Sequence, residues 1–471
     1  MAGSITGAAG QPALTPSSSK AALPSNYINN FDFLNQYLPD TYEKEFERYG
    51  NRSISAFLRM VGAEMPTNSD LIKWEEQGRL HTKFQGVLAT TIPAGRDTAT
   101  LTFTAASNLR VGQTIFISEE AAGSSKSNKA IITDVAANNL TADVAFYEAA
   151  GLAAGITATD ALTVFVYGSE FRKGSNGMVG SLEADPDIKS NKPIIIKDKY
   201  VVSGSDMAQI GWVEVTSENG ASGYLWYIKS EHETRLRFDD YLEMSMIEGV
   251  PAEAGSGALA SLSPAPGATD AGTKGLFHEI ENNGNVWSGG NPTALADFDA
   301  IIQRLDKQGA IQENVMFVNR EFGFDIDDML AAQNSYGAGG TSYGLFDNDE
   351  EMALNLGFSG FKRGYEFYKS DWKYLNDATL RGGIVGGAVN GVLVPAGSTN
   401  VYDQVMGKNA KRPFLHVRYR ASETEDRRYK TWMTGSAGGA ATSDLDAMEV
   451  NFLSERALCT LGANNFFIFK D

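Results

Sequence analysis

The residues best able to do chemistry here are four histidines, one cysteine, several acidic runs and two glycine clusters. His81, His232, His278 and His416 are scattered, and none is paired at the spacing a zinc site requires. Asp325-Ile326-Asp327-Asp328 and Asp347-Asn348-Asp349-Glu350-Glu351 carry enough carboxylates to suggest calcium. Neither completes a calcium loop with its turn glycine and closing glutamate, so both read as solvated helix caps. The glycine clusters at 337–344 and 382–391 lack the lysine of a phosphate loop and the strand–turn–helix fingerprint, and read as turns. Paired acids mean little among 58 Asp and Glu. Cys459 sits in an apolar run and reads as a buried thiol, because a reactive thiolate needs an electropositive, accessible setting. A non-enzymatic protein without cofactor or metal is expected.

The elements around these residues are more informative than the residues themselves. A chain of 471 residues with 42% hydrophobic content predicts two or three domains with a large core. Forty-nine glycines against 14 prolines favour turns, insertions and exposed loops over helical bundles. A net charge of −18 argues against a protein that grips nucleic acid through a basic face. One cysteine permits no disulfide within the chain, residues 1–26 show no signal-peptide pattern, and no window is apolar enough to span a membrane. The sequons at Asn51 and Asn139 are at chance level.

Along the chain, residues 1–26 are low-complexity, and 27–62 suggest short helices with apolar points such as Phe31, Tyr37, Phe46 and Phe57. Ser69-Asp70 is placed to cap a helix over LIKWEEQGRL. Residues 87–166 alternate with period two (TATLTFTA, RVGQTIFIS) between glycine and asparagine turns, which predicts a small antiparallel barrel or sandwich. Residues 168–190 are polar and charged. Strands at 192–203 and 209–216 would form a long hairpin. Residues 220–249 predict a long helix with Leu225, Ile228, His232, Leu236, Leu242 and Met246 on one face and Tyr227, Phe238 and Tyr241 on another. A helix apolar on two sides must lie between layers, with His232 as a core histidine. Helices at 293–309 and 321–332, a strand at 314–319, and strands near 360–368, 391–394 and 414–419 predict an α/β domain. The last stretch, 446–470, reads as an apolar strand, a short helical piece carrying Glu455 and Arg456, and a second apolar strand. Phe452, Leu453, Leu458, Phe466, Phe467, Ile468 and Phe469 would each forgo roughly 1.5–3 kcal/mol if left in water, so this stretch is expected inside a core.

This order of elements, with the closing segments KRPFLHVRYRASETEDRRYKTW (411–432) and 446–470, resembles the major capsid proteins of tailed double-stranded DNA bacteriophages, the Hong Kong 97-type fold. The segments GVLVPAGSTNVYDQVMGKNAKRPFLHVRYR (391–420) and SERALCTLGANNFF are similar to capsid proteins of the crAss-like phages. The resemblance covers the chain outside 87–166, and its strength lies in the order of elements, since no single motif is as specific as a metal-binding spacing. It implies an α+β fold: an N-terminal arm (1–62), an entry helix of the peripheral domain (63–86), an inserted all-β domain (87–166) and an E-loop hairpin (167–219). A spine helix with the peripheral domain (220–274), an axial domain (275–410) and return strands (411–471) would follow.

The resemblance further implies self-assembly into homo-hexamers and pentamers of an icosahedral head. Portal and auxiliary or decoration proteins would be partners, packaged double-stranded DNA would be touched weakly, and no membrane is involved. Assembly would take place in the host cytoplasm and end in the virion capsid. Inter-subunit contacts are expected from Phe171, Arg172, Lys173, Lys189 and Lys192 in the E-loop-like stretch. They are also expected from Arg420, Glu423, Glu425, Arg427 and Arg428, which with Asp426 read either as a solvated turn or as an inter-subunit ion-pair network. Some family members join a lysine in the E-loop to an asparagine by an isopeptide bond; that chemistry needs a specific glutamate and a geometry that sequence does not reveal. Two other readings stay open at this point: an encapsulin-like compartment shell, and a secreted carbohydrate-binding or carbohydrate-active β-rich protein.

Overall fold

The computed structural model describes residues 63–183, 186–208, 215–216, 222–223, 226–262, 271–309, 311–334, 359–403, 408–437, 439 and 441–471. The expected arm and short helices within 1–62, the acidic run 347–351 and the glycines 337–344 lie outside the described residues. The chain is a mixed α+β protein built mostly of strands, numbered below in chain order. It forms two compact units: among the described residues, a smaller one from 195–245 and 425–455, and a larger one from 63–194, 246–424 and 456–471.

Within the larger unit, the Thr/Ala/Val-rich block closes on itself. Strands β3 (Lys83–Thr91), β4 (Thr98–Thr102), β5 (Gln113–Glu119), β6 (Ser127–Val135), β7 (Thr141–Phe146) and β8 (Leu162–Ser169) make an antiparallel barrel in the order β3-β4-β7-β6-β5-β8. Every second residue points inward, as the period of two dictates: Val87 and Ala89, Ala99 and Leu101, Ile115 and Ile117, Ala130 and Ile132, Ala142 and Val144, Leu162 and Val164 fill the interior. One loop is pinned by Arg96, whose guanidinium donates to the carbonyls of Leu152, Ala153 and Ile156 at 2.8, 2.8 and 2.9 Å. Gly151, at φ 64°, must be glycine there, since a Cβ would sit 1.8 Å from the Arg96 carbonyl oxygen.

The α/β part is a sheet ordered β13 (Asn285–Ser288), β23 (Phe467–Lys470), β17 (Val389–Pro395), β14 (Glu313–Val318), β16 (Tyr365–Asp371), β15 (Gly360–Arg363). Helices Leu295–Gln308 and Arg320–Asn334 bury Phe298, Ile301, Leu305, Phe322, Ile326 and Met329 against it, as their 3–4 spacing requires. Gly309, left-handed at φ 73°, ends the first of these. β23 lies inside the sheet, parallel to β13 and antiparallel to β17, so Phe467 and Phe469 reach the same core.

Elsewhere in this unit, β1 (Ala63–Thr67) pairs parallel with β20 (Leu415–Arg420), and β20 pairs antiparallel with residues 456–460 of β22 (Ala447–Thr460). β18 (Ser398–Asp403) and β19 (Lys408–Pro413) form a hairpin. β2 (Ile72–Glu76) pairs with β9 (Asp187–Asn191), which corrects the entry helix expected over 63–86. The alternation Ile72-Lys73-Trp74 decides this. It puts Ile72 and Trp74 on one face, against Ala457 and Cys459, and a helix would have separated them.

A second correction concerns Glu455 and Arg456, which were expected on a helical piece. They sit in β22, a single strand of 14 residues, and both are buried. Each finds a counter-ion: Glu455 meets Arg427 at 3.0 Å and Arg456 meets Glu64 at 3.6 Å.

In the smaller unit, β10 (Ile194–Ser203) and β21 (Lys430–Gly435) both lie beside the first half of β22. Of the long hairpin expected from 192–203 and 209–216, the first strand is present as β10, and residues 209–214 of the second lie outside the described residues. Ser203 accepts from the Asp206 N–H at 3.1 Å and starts a helical turn (Gly204–Met207), while β11 (Val215–Thr216) pairs with β12 (Ser222–Gly223). The long helix is Trp226–Glu248, 23 residues and so roughly 35 Å long. Thr234, Phe238, Leu242, Glu243, Met246 and Ile247 are covered, whereas Tyr241 is 40% exposed and His232 is exposed rather than in the core.

Candidate functional site

Among the described residues no group of histidine, cysteine or carboxylate side chains could hold a metal, and no helix is long and apolar enough to cross a membrane. Cys459 is buried, and burial pushes its thiol up to about 12, far from a nucleophile's range. The surfaces that stand out are the uncovered ones of the smaller unit.

Its core is small: Val202, Phe238, Leu242, Met448, Val450 and Phe452, with Phe238 and Phe452 rings 5.7 Å apart. The sequence KPIIIKDKYVVS explains one open surface. Alternation sends Ile196, Tyr200 and Val202 to the core side of β10, and leaves Ile195 at 53% and Val201 at 44% exposure on the other. β21 is open in another way: Thr431, Trp432 and Met433 are all exposed, and among the described residues only β22 pairs with this strand. Lys430 holds its ammonium 5.8 Å over the Trp432 ring, a cation–π contact at the surface. Two strand edges that no described strand covers, bearing apolar side chains, are templates for another chain.

The residues singled out from sequence fall in three places. Phe171, Arg172 and Lys173 are exposed beyond β8, where the Phe171 ring lies against Gly112, leaving no room there for a Cβ. Lys189 and Lys192 lie at the β9 end. Lys189 pairs with Asp187 at 2.9 Å, which raises its pKa, and donates to Asn283 at 3.2 Å, while the Lys192 N–H donates to the Asn191 side chain. Arg420 donates to the Asn68 carbonyl at 2.8 Å and pairs with Asp70, and Glu423 is exposed nearby in sequence.

The mixed-charge run is largely answered inside the chain. Glu425 pairs with Lys430 at 2.8 Å, which holds its carboxyl below the ordinary range. Arg427 pairs with buried Glu455, and the Arg428 carbonyl accepts from the Ser454 hydroxyl at 2.6 Å. This run therefore splints the middle of the return strand β22 to the turn before β21.

Sequence reasoning missed two anchoring devices in the larger unit. The Asn191 side chain, 4% exposed, donates to the carbonyls of Leu458 at 2.7 Å and Lys274 at 2.9 Å, and accepts from Thr273 and Lys274. One amide thus ties segments separated by 83 and 267 residues. Glu248, ending the long helix, accepts from the Tyr374 hydroxyl at 2.6 Å and pairs with both Arg381 nitrogens at 2.5 and 2.6 Å. Single polar residues carry no sequence signal for such long-range partners; only the fold reveals them.

No family model matches the sequence, and no curated protein does. Among solved structures, the chain is similar to one from Microbacterium phage Oxtober96, at 10% identity and a TM-score of 0.39, covering 94% of this chain and 99% of that one. It is similar to one from Mycobacterium phage Bobi at 8% identity and a TM-score of 0.39, covering 94% and 98%. It is also similar to a capsid of a native GTA particle computed with C5 symmetry, at 11% identity and a TM-score of 0.36, covering 92% and 96%.

Proposed function

We propose that this chain is a structural shell protein, the major capsid protein of a tailed bacteriophage with the Hong Kong 97-type arrangement, and that it works without catalysis. In this reading copies assemble as hexamers and pentamers into an icosahedral head around double-stranded DNA, with portal and auxiliary proteins as further partners. The stretch 167–219 takes the part of the E-loop, 220–274 that of the spine and peripheral domain, 275–410 that of the axial domain, and 1–62 that of an arm held by a neighbour. The 87–166 barrel projects from the lattice.

One observation carries this reading: among the described residues, the smaller unit joins a cluster of six buried apolar side chains to a sheet with open apolar edges at β10 and β21. A solitary protein gains nothing from that arrangement, whereas a lattice gains contacts from every copy. The net charge of −18 fits a wall that faces DNA without gripping it.

Electron microscopy of the purified full chain, with nuclease digestion of particles made in cells, tests this reading. Closed shells protecting double-stranded DNA are expected. A chain that stays monomeric at every concentration overturns it.

A further inference from the structure

The edge strand β13 borders a cleft of about 420 Å³ lined by Val286, Trp287, Ser288, Ala300, Arg304 and Lys307, among others. Its chemistry follows from the ladder. Asn285 donates its N–H to the Phe466 carbonyl at 3.0 Å, so in this parallel pairing Asn285 and Trp287 turn their amides toward β23. Val286 and Ser288 then turn theirs to the open edge. Arg304 crosses the cleft and donates to the Val286 carbonyl at 3.0 Å.

Both cations of the cleft, Arg304 and Lys307, are exposed and have no carboxylate partner among the described residues. Two acids of the same helix face the other way: Asp299 binds Arg363 at 2.8 Å and Asp306 accepts from the Tyr365 hydroxyl at 2.5 Å. The third, Asp297, shares the stripe of Ala300 and Arg304 but is engaged at the helix start, accepting from the N–H groups of Thr293 and Ala294 at 3.2 and 3.1 Å. The side chains that remain to meet a ligand on the β13 side are therefore basic, in a chain of net charge −18.

We propose that this cleft receives an extended acidic segment from a second copy of the chain, Leu345-Phe346-Asp347-Asn348-Asp349-Glu350-Glu351. This rests on the shell reading and specifies one of its contacts. The incoming segment adds a strand to β13 through the free groups of Val286 and Ser288. Its carboxylates meet Lys307 and draw Arg304 off the Val286 carbonyl, and an apolar residue lies over Ala300 and Trp287.

The direction of the contact follows from topology. The donor segment runs into β15, where the Ser359 carbonyl accepts from the Lys369 N–H at 2.8 Å. β15 and β13 are opposite edges of one six-stranded sheet, roughly 24 Å apart at strand spacing. A donor segment and a receiving cleft that are different parts of the chain make a heterologous, head-to-tail contact, the kind that closes into rings.

The test is fluorescence anisotropy of a labelled peptide copying residues 343–354, titrated with the full-length chain held dilute enough to be unassembled. Arg304→Glu and Lys307→Glu are each expected to weaken binding roughly tenfold, and raised salt to weaken it further. Ala300→Leu, which leaves charge unchanged, blocks the cleft and has the same effect. Particle formation is followed in parallel: Lys307→Glu prevents it, and Lys307→Glu combined with Glu350→Lys restores it. A peptide that fails to bind, or a scrambled peptide of equal charge that binds equally, overturns the proposal. So does a Lys307→Glu chain that assembles like the parent, a result that leaves the shell reading standing. Specific peptide binding by a chain that never assembles upholds the cleft and removes the shell.

Discussion

The barrel of strands β3 to β8 and the sheet of β10, β22 and β21 solve the same problem in opposite ways. Both are made from alternating sequence, and both have one face that must be hidden. The barrel hides it by closure: the ring of hydrogen bonds has no edge, and sixteen apolar residues are buried inside. The sheet of the smaller unit leaves two edges open among the described residues and covers a cluster of six there. Alternation alone therefore does not tell a self-sufficient domain from a surface awaiting a partner; closure does. A closed module can be carried anywhere in a chain, whereas an open one must be finished by something else.

Replacing the barrel by a short linker between residues 82 and 170 is the largest possible perturbation of this contrast. Shells are expected to form without it, and the excised barrel to unfold cooperatively by itself in a thermal scan. An excised barrel without a cooperative transition would remove the distinction. Next in size are paired core lesions. Phe452→Ala in the open unit and Leu101→Ala in the barrel should each cost about 2–5 kcal/mol by denaturant titration, but only the former should prevent assembly.

A smaller effect is expected at Glu455→Gln, which leaves Arg427 facing a neutral amide. Because the Arg427 side chain stays 29% exposed, the loss should be about 2 kcal/mol, less than for a fully buried pair. Smaller again is Tyr365→Phe, at roughly 1 kcal/mol for the lost hydrogen bond to Asp306. Burial, and then Asp306, raises the Tyr365 hydroxyl from 10.0 to about 12. A raised folded-state value means that this contribution is fully present below pH 10 and is lost as pH climbs toward 12. Stability curves of parent and variant should therefore converge across that window, and parallel curves would show that the hydroxyl contributes nothing. The least change in monomer stability, within about 0.5 kcal/mol, is expected from Trp432→Ser with Met433→Ser on β21. That pair should nonetheless lower particle yield, and full yield would mean that β21 is not a contact.

Period-two alternation made the barrel legible, continuous apolar runs the β17 and β23 strands, and 3–4 spacing with a terminal glycine Leu295–Gln308. What failed were places where helix was read in strand. Glu455 and Arg456 were expected on a helical piece, and their partners, Arg427 and Glu64, lie far away in sequence. Ser69-Asp70 was expected to cap a helix over β2, although Ile72 and Trp74 share the period of a strand. On the long helix, the expected positions of His232 and Tyr241 in covered faces failed, because which residues are covered is decided by what the rest of the chain supplies. Among the site residues, the run from Glu425 to Arg428 was legible as a charge network, but not as one closed mainly within the chain. The open edges of β10 and β21 were not legible at all, since an edge is a property of topology.

Hydrogen exchange of backbone amides, compared between the dilute chain and concentrated or particle-derived material, bears most directly on whether neighbours complete the smaller unit. The edge amides of β10 and β21 should exchange fast in the dilute chain and become protected on assembly, while the barrel amides keep the same protection in both. Full protection of β10 and β21 in a dilute monomer would contradict the account.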